Sequence, residues 1–214
     1  MYDFHTHTTF SDGELIPTEL VRRMAAAGYK EMAITDHADY SNIENIITSQ
    51  KKIKKSASLY GIKLYTGAEI THVPPEEIDD IAKYAKTLGA EIVIVHGETV
   101  SEPVAVGTNH AAVLSDYVDI LAHPGLISDE DAKLAAKNGI YLELTSRRGH
   151  NKTNGHVAST ARRFNTGLVI QSDTHSPEDI MSENMRYLVA RGAGLTEDEA
   201  KKSLNLTADE ILRK

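Results

Sequence analysis

Six histidines and three carboxylates of this chain recur in one kind of place, directly after a short apolar run. They are His5 and His7, Asp36 and His37, Glu69, His96, His123, and Asp173 with His175. One histidine in such a place is ordinarily a capping or core residue. Nine such residues drawn from six segments need a common cause. His5-x-His7 and Asp173-x-His175 are i, i+2 pairs, which point to the same side of an extended chain. Two such residues can share a metal or address neighbouring metals. Imidazoles with carboxylates suit Zn, Mn, Fe or Co, whereas Ca²⁺ takes oxygen ligands throughout. The chain has no cysteine. Disulfides, thiolate zinc sites, Fe–S clusters and a cysteine nucleophile are therefore excluded, and any metal is held through nitrogen and oxygen.

Something must bring these six segments together. The apolar runs predict strands over 32–35, 62–65, 91–95, 118–121, 139–144 and 167–171, with a first strand ending at His5. They are short and rich in β-branched residues, as buried parallel strands are. Between them the pattern predicts helices over 17–27, 42–60, 75–88, 128–137, 155–164 and 177–190. Several stop at a glycine (Gly28, Gly61, Gly89). Thr196 with Glu199 reads as a capping box for a further helix, and a last helix is expected over 208–214. About seven β–α units in series require parallel strands with helices outside. An open doubly wound sheet and a barrel both satisfy that rule. A standard eight-fold barrel needs about 250 residues. At 214 residues, a distorted TIM-like (β/α)7 barrel of one domain, 1–214, fits better. Its active site would lie at the C-terminal ends of the strands, where the nine residues fall.

Composition bounds the partners. Apolar residues make up 41% and charged residues 25%, and no apolar run approaches the roughly 18 residues of a membrane span. The N-terminus lacks the pattern of a signal peptide, so the cytoplasm is the expected location. The net charge of -8 argues against general nucleic-acid binding, which usually needs a basic excess. It does not argue against a small phosphorylated substrate, because bound cations reverse the local sign.

The segments His5-Thr-His7-Thr-Thr-Phe-Ser-Asp12-Gly13, Ile34-Thr-Asp36-His37, Gly67-Ala-Glu69, His96-Gly97, His123-Pro124-Gly125 and Ser172-Asp173-Thr-His175 resemble, in order, the PHP (polymerase and histidinol phosphatase) superfamily. That resemblance implies a distorted seven-stranded barrel with a trinuclear metal centre. By family pattern His5, His7, Glu69 and Asp173 would hold one metal. Glu69 would bridge to a second, completed by His96 and His123. Asp12, His37 and His175 would take a third; some members have His where this chain has Asp12. The cofactors implied are two or three divalent ions, Zn, Mn or Fe. Glu69, Asp173 and His175 would be the catalytic residues. Two metals about 3.5–4 Å apart can hold a bridging hydroxide for in-line attack on a phosphate, with no protein nucleophile.

Other residues are candidates by position. Arg147, Arg148 and His150 follow the sixth strand-like run, whose end carries no metal ligand, and are candidate substrate contacts; the arginine fork suits phosphate. Glu143, if it points inwards, needs a partner and could orient a ligand. His72 could reach the rim, and Glu98 and Glu102 flank the loop after His96. His110 and His156 read as structural or capping residues. Lys51, Lys52, Lys54 and Lys55 read as a solvated helix face. The expected function is a small-molecule phosphomonoesterase of histidinol-phosphatase type. A phosphodiesterase or nuclease is the alternative among enzymes, and a non-catalytic metal-stabilised module the alternative outside them.

Overall fold

The apolar runs become parallel strands because helices cover one face and the barrel interior covers the other. In the computed structural model, which describes residues 1–212, the strands are β1 (Tyr2–Asp3), β2 (Glu31–Ile34), β3 (His37–Ala38), β4 (Lys63–Ile70), β5 (Ile92–His96), β6 (Ile120–Ala122), β7 (Tyr141–Thr145) and β8 (Leu168–Gln171). The sheet runs β1-β2-β4-β5-β6-β7-β8, with β3 continuing the path of β2 against β4. Every pairing is parallel. A bridge between Thr6 and Thr174 joins the two ends; there the His7 N–H donates to the Thr174 carbonyl at 2.8 Å. The α/β TIM-like barrel expected from the unit count is the fold found.

The helices outside are α1 (Pro17–Ala26), α2 (Ile43–Leu59), α3 (Ile78–Leu88), α4 (Thr108–Leu114), α5 (Asp129–Asn138), α6 (Asn154–Phe164), α7 (Glu183–Gly192), α8 (Glu197–Leu204) and α9 (Ala208–Ile211). Ile81, Val93, Val95, Leu121 and Leu142 belong to the core between the barrel and these helices. A second cluster, with Phe4, Tyr65, Ile94, Ile120 and Val169, includes Ala208 and Ile211 of α9. No helix among the described residues is long and apolar enough to cross a membrane.

Two expectations are corrected. The stretch 177–190 is not one helix: a 3₁₀ turn over Pro177–Asp179 ends and α7 starts afresh. The side chain of Ser182 accepts from the Met185 N–H and makes the new N-cap. The strand expected over 62–65 continues to Ile70. The expected last helix, 208–214, is present as α9; its final two positions lie outside the described residues. The capping box of Thr196 and Glu199 forms as its spacing predicts.

Candidate metal centre

The strand β4 carries Glu69 to the centre by changing partners part-way. Residues 63–66 pair with β2, and 67–70 pair with β5. Gln50, buried on α2, fixes the changeover: its Oε1 accepts from the Gly67 N–H at 2.8 Å and its Nε2 donates to the Gly67 carbonyl at 3.0 Å. Beyond that point Glu69 stands in register with His37 of β3. Two glycines bring the next ligands together. A Cβ on Gly97 would sit 2.3 Å from the Ala122 carbonyl oxygen, and one on Gly125 would sit 1.9 Å from that of Glu98. Only glycine lets the loops after β5 and β6 abut here, and His96 and His123 thereby lie with ring centroids 4.5 Å apart. His123 and Asp173 themselves adopt positive φ, 26° and 54°. Such backbone is costly outside glycine and clusters at functional sites.

All nine residues expected as metal ligands meet at the mouth of the barrel. His5 Nε2 lies 3.3 Å from Glu69 Oε1 and 3.7 Å from Asp173 Oδ1. His7 Nε2 lies 3.5 Å from Glu69 Oε2 and 3.3 Å from Asp173 Oδ1. His123 Nε2 approaches Glu69 Oε1 at 3.5 Å. Asp12 Oδ1 is 3.1 Å from His175 Nε2 and 3.5 Å from His37 Nε2. Four overlapping groups have donor atoms within 4.8 Å of one another: His5, His7 and Glu69; His5, His123 and Asp173; His96, His123 and His150; and His7, Asp12, His37 and His175. Asp12 is the exposed member, at 58% of its side chain, against 4% for Asp173 and none for Glu69.

The donors fit divalent ions better than they fit each other. Buried and without a hydrogen-bond partner are His5 Nε2, His7 Nε2, both Glu69 oxygens, Asp173 Oδ1 and the Nδ1 atoms of His96, His123 and His150. Leaving so many buried polar atoms unpaired is costly, and the first five face one another. Charge is equally concentrated. Burial opposes the charge of His5, but Glu143, Glu69 and Asp173 together hold its imidazole well above the usual range. Burial drives His7 the other way, to about 3. Burial also opposes ionisation of Glu69 and Asp173, yet His5 and the surrounding imidazoles hold both carboxyls well below the usual range.

Supporting residues fix these donors. Glu143 points inwards, fully buried; its Oε1 accepts from His5 Nδ1 at 2.7 Å and its Oε2 from the His123 N–H at 2.9 Å. Asp36 turns away from the cluster. It accepts from the Thr8 N–H at 2.6 Å and from the Ser11 hydroxyl at 2.9 Å, holding the loop that carries Asp12. Arg147 meets Asp179 at 3.2 Å, and that carboxylate also accepts from the His175 N–H at 3.0 Å. Arg148 is exposed.

Of the remaining candidates, His150 lies against His123 with ring centroids 4.3 Å apart, inside the cluster rather than beyond it. Burial, then the neighbouring His123, pushes its imidazole down to about 4. Glu102 reaches His96 Nε2 at 2.8 Å. Neither was expected among the donors: each stands in a loop several residues past its strand, where periodicity carries no signal. Glu98 instead accepts from the Gly107 and Asn109 N–H groups at the start of α4. His110 pairs with Asp131, and His156 contacts the Ile127 carbonyl. His72 comes within 5.2 Å of His96, centroid to centroid. Lys51 donates to the Leu88 carbonyl and Lys54 pairs with Glu91, so part of the basic run ties α2 to its neighbours.

A family profile described as the PHP domain matches residues 3–117. The chain belongs to the PHP domain family. This PHP chain is 50% identical to an uncharacterised protein of Methanocaldococcus jannaschii, over 100% of this chain and 99% of that one. It is 28% identical to ribonuclease P protein component 3 of Methanosarcina mazei, over 100% and 89% of the two chains. It is 26% identical to a probable phosphatase of a Thermoanaerobacter species, over 92% and 87%.

Proposed function

We propose that this PHP chain hydrolyses phosphate esters with two or three divalent ions, zinc, manganese or iron, at the cluster just described. The observation that carries the reading is the convergence of partnerless buried nitrogens and carboxylate oxygens on one space. His5, His7, Glu69 and Asp173 would hold one ion, and His96 and His123 with Glu69 a second. Asp12, His37 and His175 would hold a third, on the most exposed side. When bound, such ions neutralise charge on phosphate oxygens and acidify a water.

The chain's own residues do the rest. Glu69 spans the centre, with Oε1 facing His5 and His123 and Oε2 facing His7 and His37. On this reading Glu69, Asp173 and His175 would border the reacting phosphate, and no serine or cysteine nucleophile would be needed. Glu143 fixes the His5 ring. Arg148, exposed beside the mouth, is the free candidate for a substrate phosphate; Arg147 is held by Asp179.

The substrate we favour is a small phosphomonoester of the histidinol phosphate type, in keeping with the acidic charge of -8 and the probable-phosphatase relative. The ribonuclease P component relatives, alike over the whole chain, favour a second reading in which the phosphate belongs to RNA. Cytoplasmic location and a single domain over 1–214 complete the proposal. The test is phosphate release by metal-stripped protein after Mn, Zn, Mg or Fe is restored singly. The panel is an aryl phosphate, its diester, histidinol phosphate and short single-stranded RNA and DNA. Release from monoesters alone supports the first reading and cleavage of RNA the second. No turnover of any substrate by metal-loaded protein would overturn both.

A further inference from the structure

We propose that His150 and Glu102 complete the coordination of the ion assigned to His96 and His123, so that this ion ties the loop after β5 to the loop after β7. The proposal rests on the reading of the cluster as a metal centre and extends its ligand set by two residues. Three imidazoles converge here. The donor atoms of His96, His123 and His150 lie within 4.8 Å of one another, and all three Nδ1 atoms are buried without a hydrogen-bond partner. His150 is no bystander of the loop. Its ring stacks obliquely on His123, 4.3 Å between centroids, and lies 5.9 Å from His96.

The carboxylate comes from the opposite loop. Glu102 Oε1 is 2.8 Å from His96 Nε2 and 3.8 Å from His150 Nε2, so one oxygen addresses both rings. Its side chain is 39% exposed, and it reaches the donors from the open side of the barrel. With Glu69, three imidazoles and two carboxylates form a nitrogen–oxygen set of the kind zinc and its neighbours accept. The loop over residues 97–107 is anchored near its far end by Glu98, which accepts from Gly107 and Asn109. Coordination by Glu102 would anchor its middle.

The experiment uses the full chain, stripped of metal and titrated with Zn²⁺ against a chromophoric chelator. Wild type is compared with His150→Ala, Glu102→Gln and, as a control from outside the set, His72→Ala. In both His150→Ala and Glu102→Gln, one equivalent should lose about tenfold or more in affinity while the others hold. His72→Ala should match wild type. Hydrogen exchange supplies a second readout: zinc should protect amides of residues 97–107 in wild type and fail to do so in Glu102→Gln. Both variants binding every equivalent as wild type does would overturn the two added ligands and leave the metal centre standing. Wild type taking up no zinc would overturn the centre itself. A loss shared by His72→Ala would trace the effect to general disturbance and overturn the assignment. If His150→Ala is destabilised without metal, the exposed Glu102→Gln decides alone.

Discussion

Glu143 on β7 accepts a hydrogen bond from His5 Nδ1, 2.7 Å away and 138 residues distant in sequence. The bond fixes the ring so that Nε2, the atom without a partner, faces Glu69 and Asp173. The other Glu143 oxygen holds the backbone N–H of His123. One buried carboxylate thus sets two donors. Glu143→Gln keeps the shape but has only one accepting oxygen, so one contact is lost. Metal affinity should fall roughly 10–100-fold, read by chelator competition, with circular dichroism unchanged. Affinity within about twofold of wild type would deny Glu143 this orienting role.

Asp36 supports a different part of the cluster. Its carboxylate accepts from the Thr8 N–H and from the Thr8 and Ser11 hydroxyls, and so shapes the turn that presents Asp12 to His37 and His175. Asp36→Ala strands the buried Thr8 N–H and should cost about 2–3 kcal/mol of stability. Metal counting by mass spectrometry should show one equivalent lost with the rest retained. Loss of every equivalent would mean that the turn supports the whole centre rather than its exposed edge.

These two carboxylates mark the limits of the sequence. The strand ends were legible because parallel strands are short, apolar and followed at once by their chemistry. Eight of the nine donors therefore stood out by position; Asp12 came only with the family resemblance. Glu143 was legible as an inward-facing charge, since it alternates with Leu142 and Leu144, but its partner His5 is set by closure of the barrel, which local pattern does not encode. Asp36 stood beside His37 as one of the nine positions. Which of the two faces the cluster depends on the register of His37 with Glu69, and register is a relation between strands. His150 and Glu102 were illegible as donors because loop paths follow from tertiary contacts such as the close approach at Gly97 and Gly125. The break before α7 was hidden because 177–190 is helix-compatible throughout, and Ser182 becomes a cap only once the chain turns there.

Away from the centre, Glu91 gives the acid limb of stability a defined sign. Burial opposes its ionisation, but Lys54 and the Thr66 N–H hold its carboxyl below the usual range. A folded-state pKa below the unfolded value means that the unfolded chain binds the proton first as pH falls. The contribution is complete above the unfolded carboxyl range and lost on descending through the lowered folded value. The side chains of Lys54 and Glu91 are 38% and 40% exposed, so the gain is small, about 0.5–1 kcal/mol after screening. Urea melts of wild type and Glu91→Gln should therefore differ at pH 7 and converge towards pH 3. A gap that widens on acidification would reverse the sign.

The arginine pair after β7 separates two roles that adjacent residues would otherwise share. Arg147 is bound to Asp179, the carboxylate that also accepts from the backbone N–H groups of His175 and Ser176. Removing it should disturb the seat of His175. Arg147→Ala should therefore lower stability by about 0.5–1 kcal/mol, since the pair is part-exposed, and weaken the ion assigned to Asp12, His37 and His175. Arg148 is exposed and makes no ion pair among the described residues. Its deletion should leave melting and metal content untouched. If it meets the substrate phosphate, Arg148→Ala loses one charge-assisted contact and should raise KM about tenfold with kcat little changed. Steady-state kinetics on the best substrate of the panel, with metal content measured on the same samples, distinguishes the two. A KM effect confined to Arg147→Ala would transfer the phosphate contact to that residue and require its bond to Asp179 to break on binding.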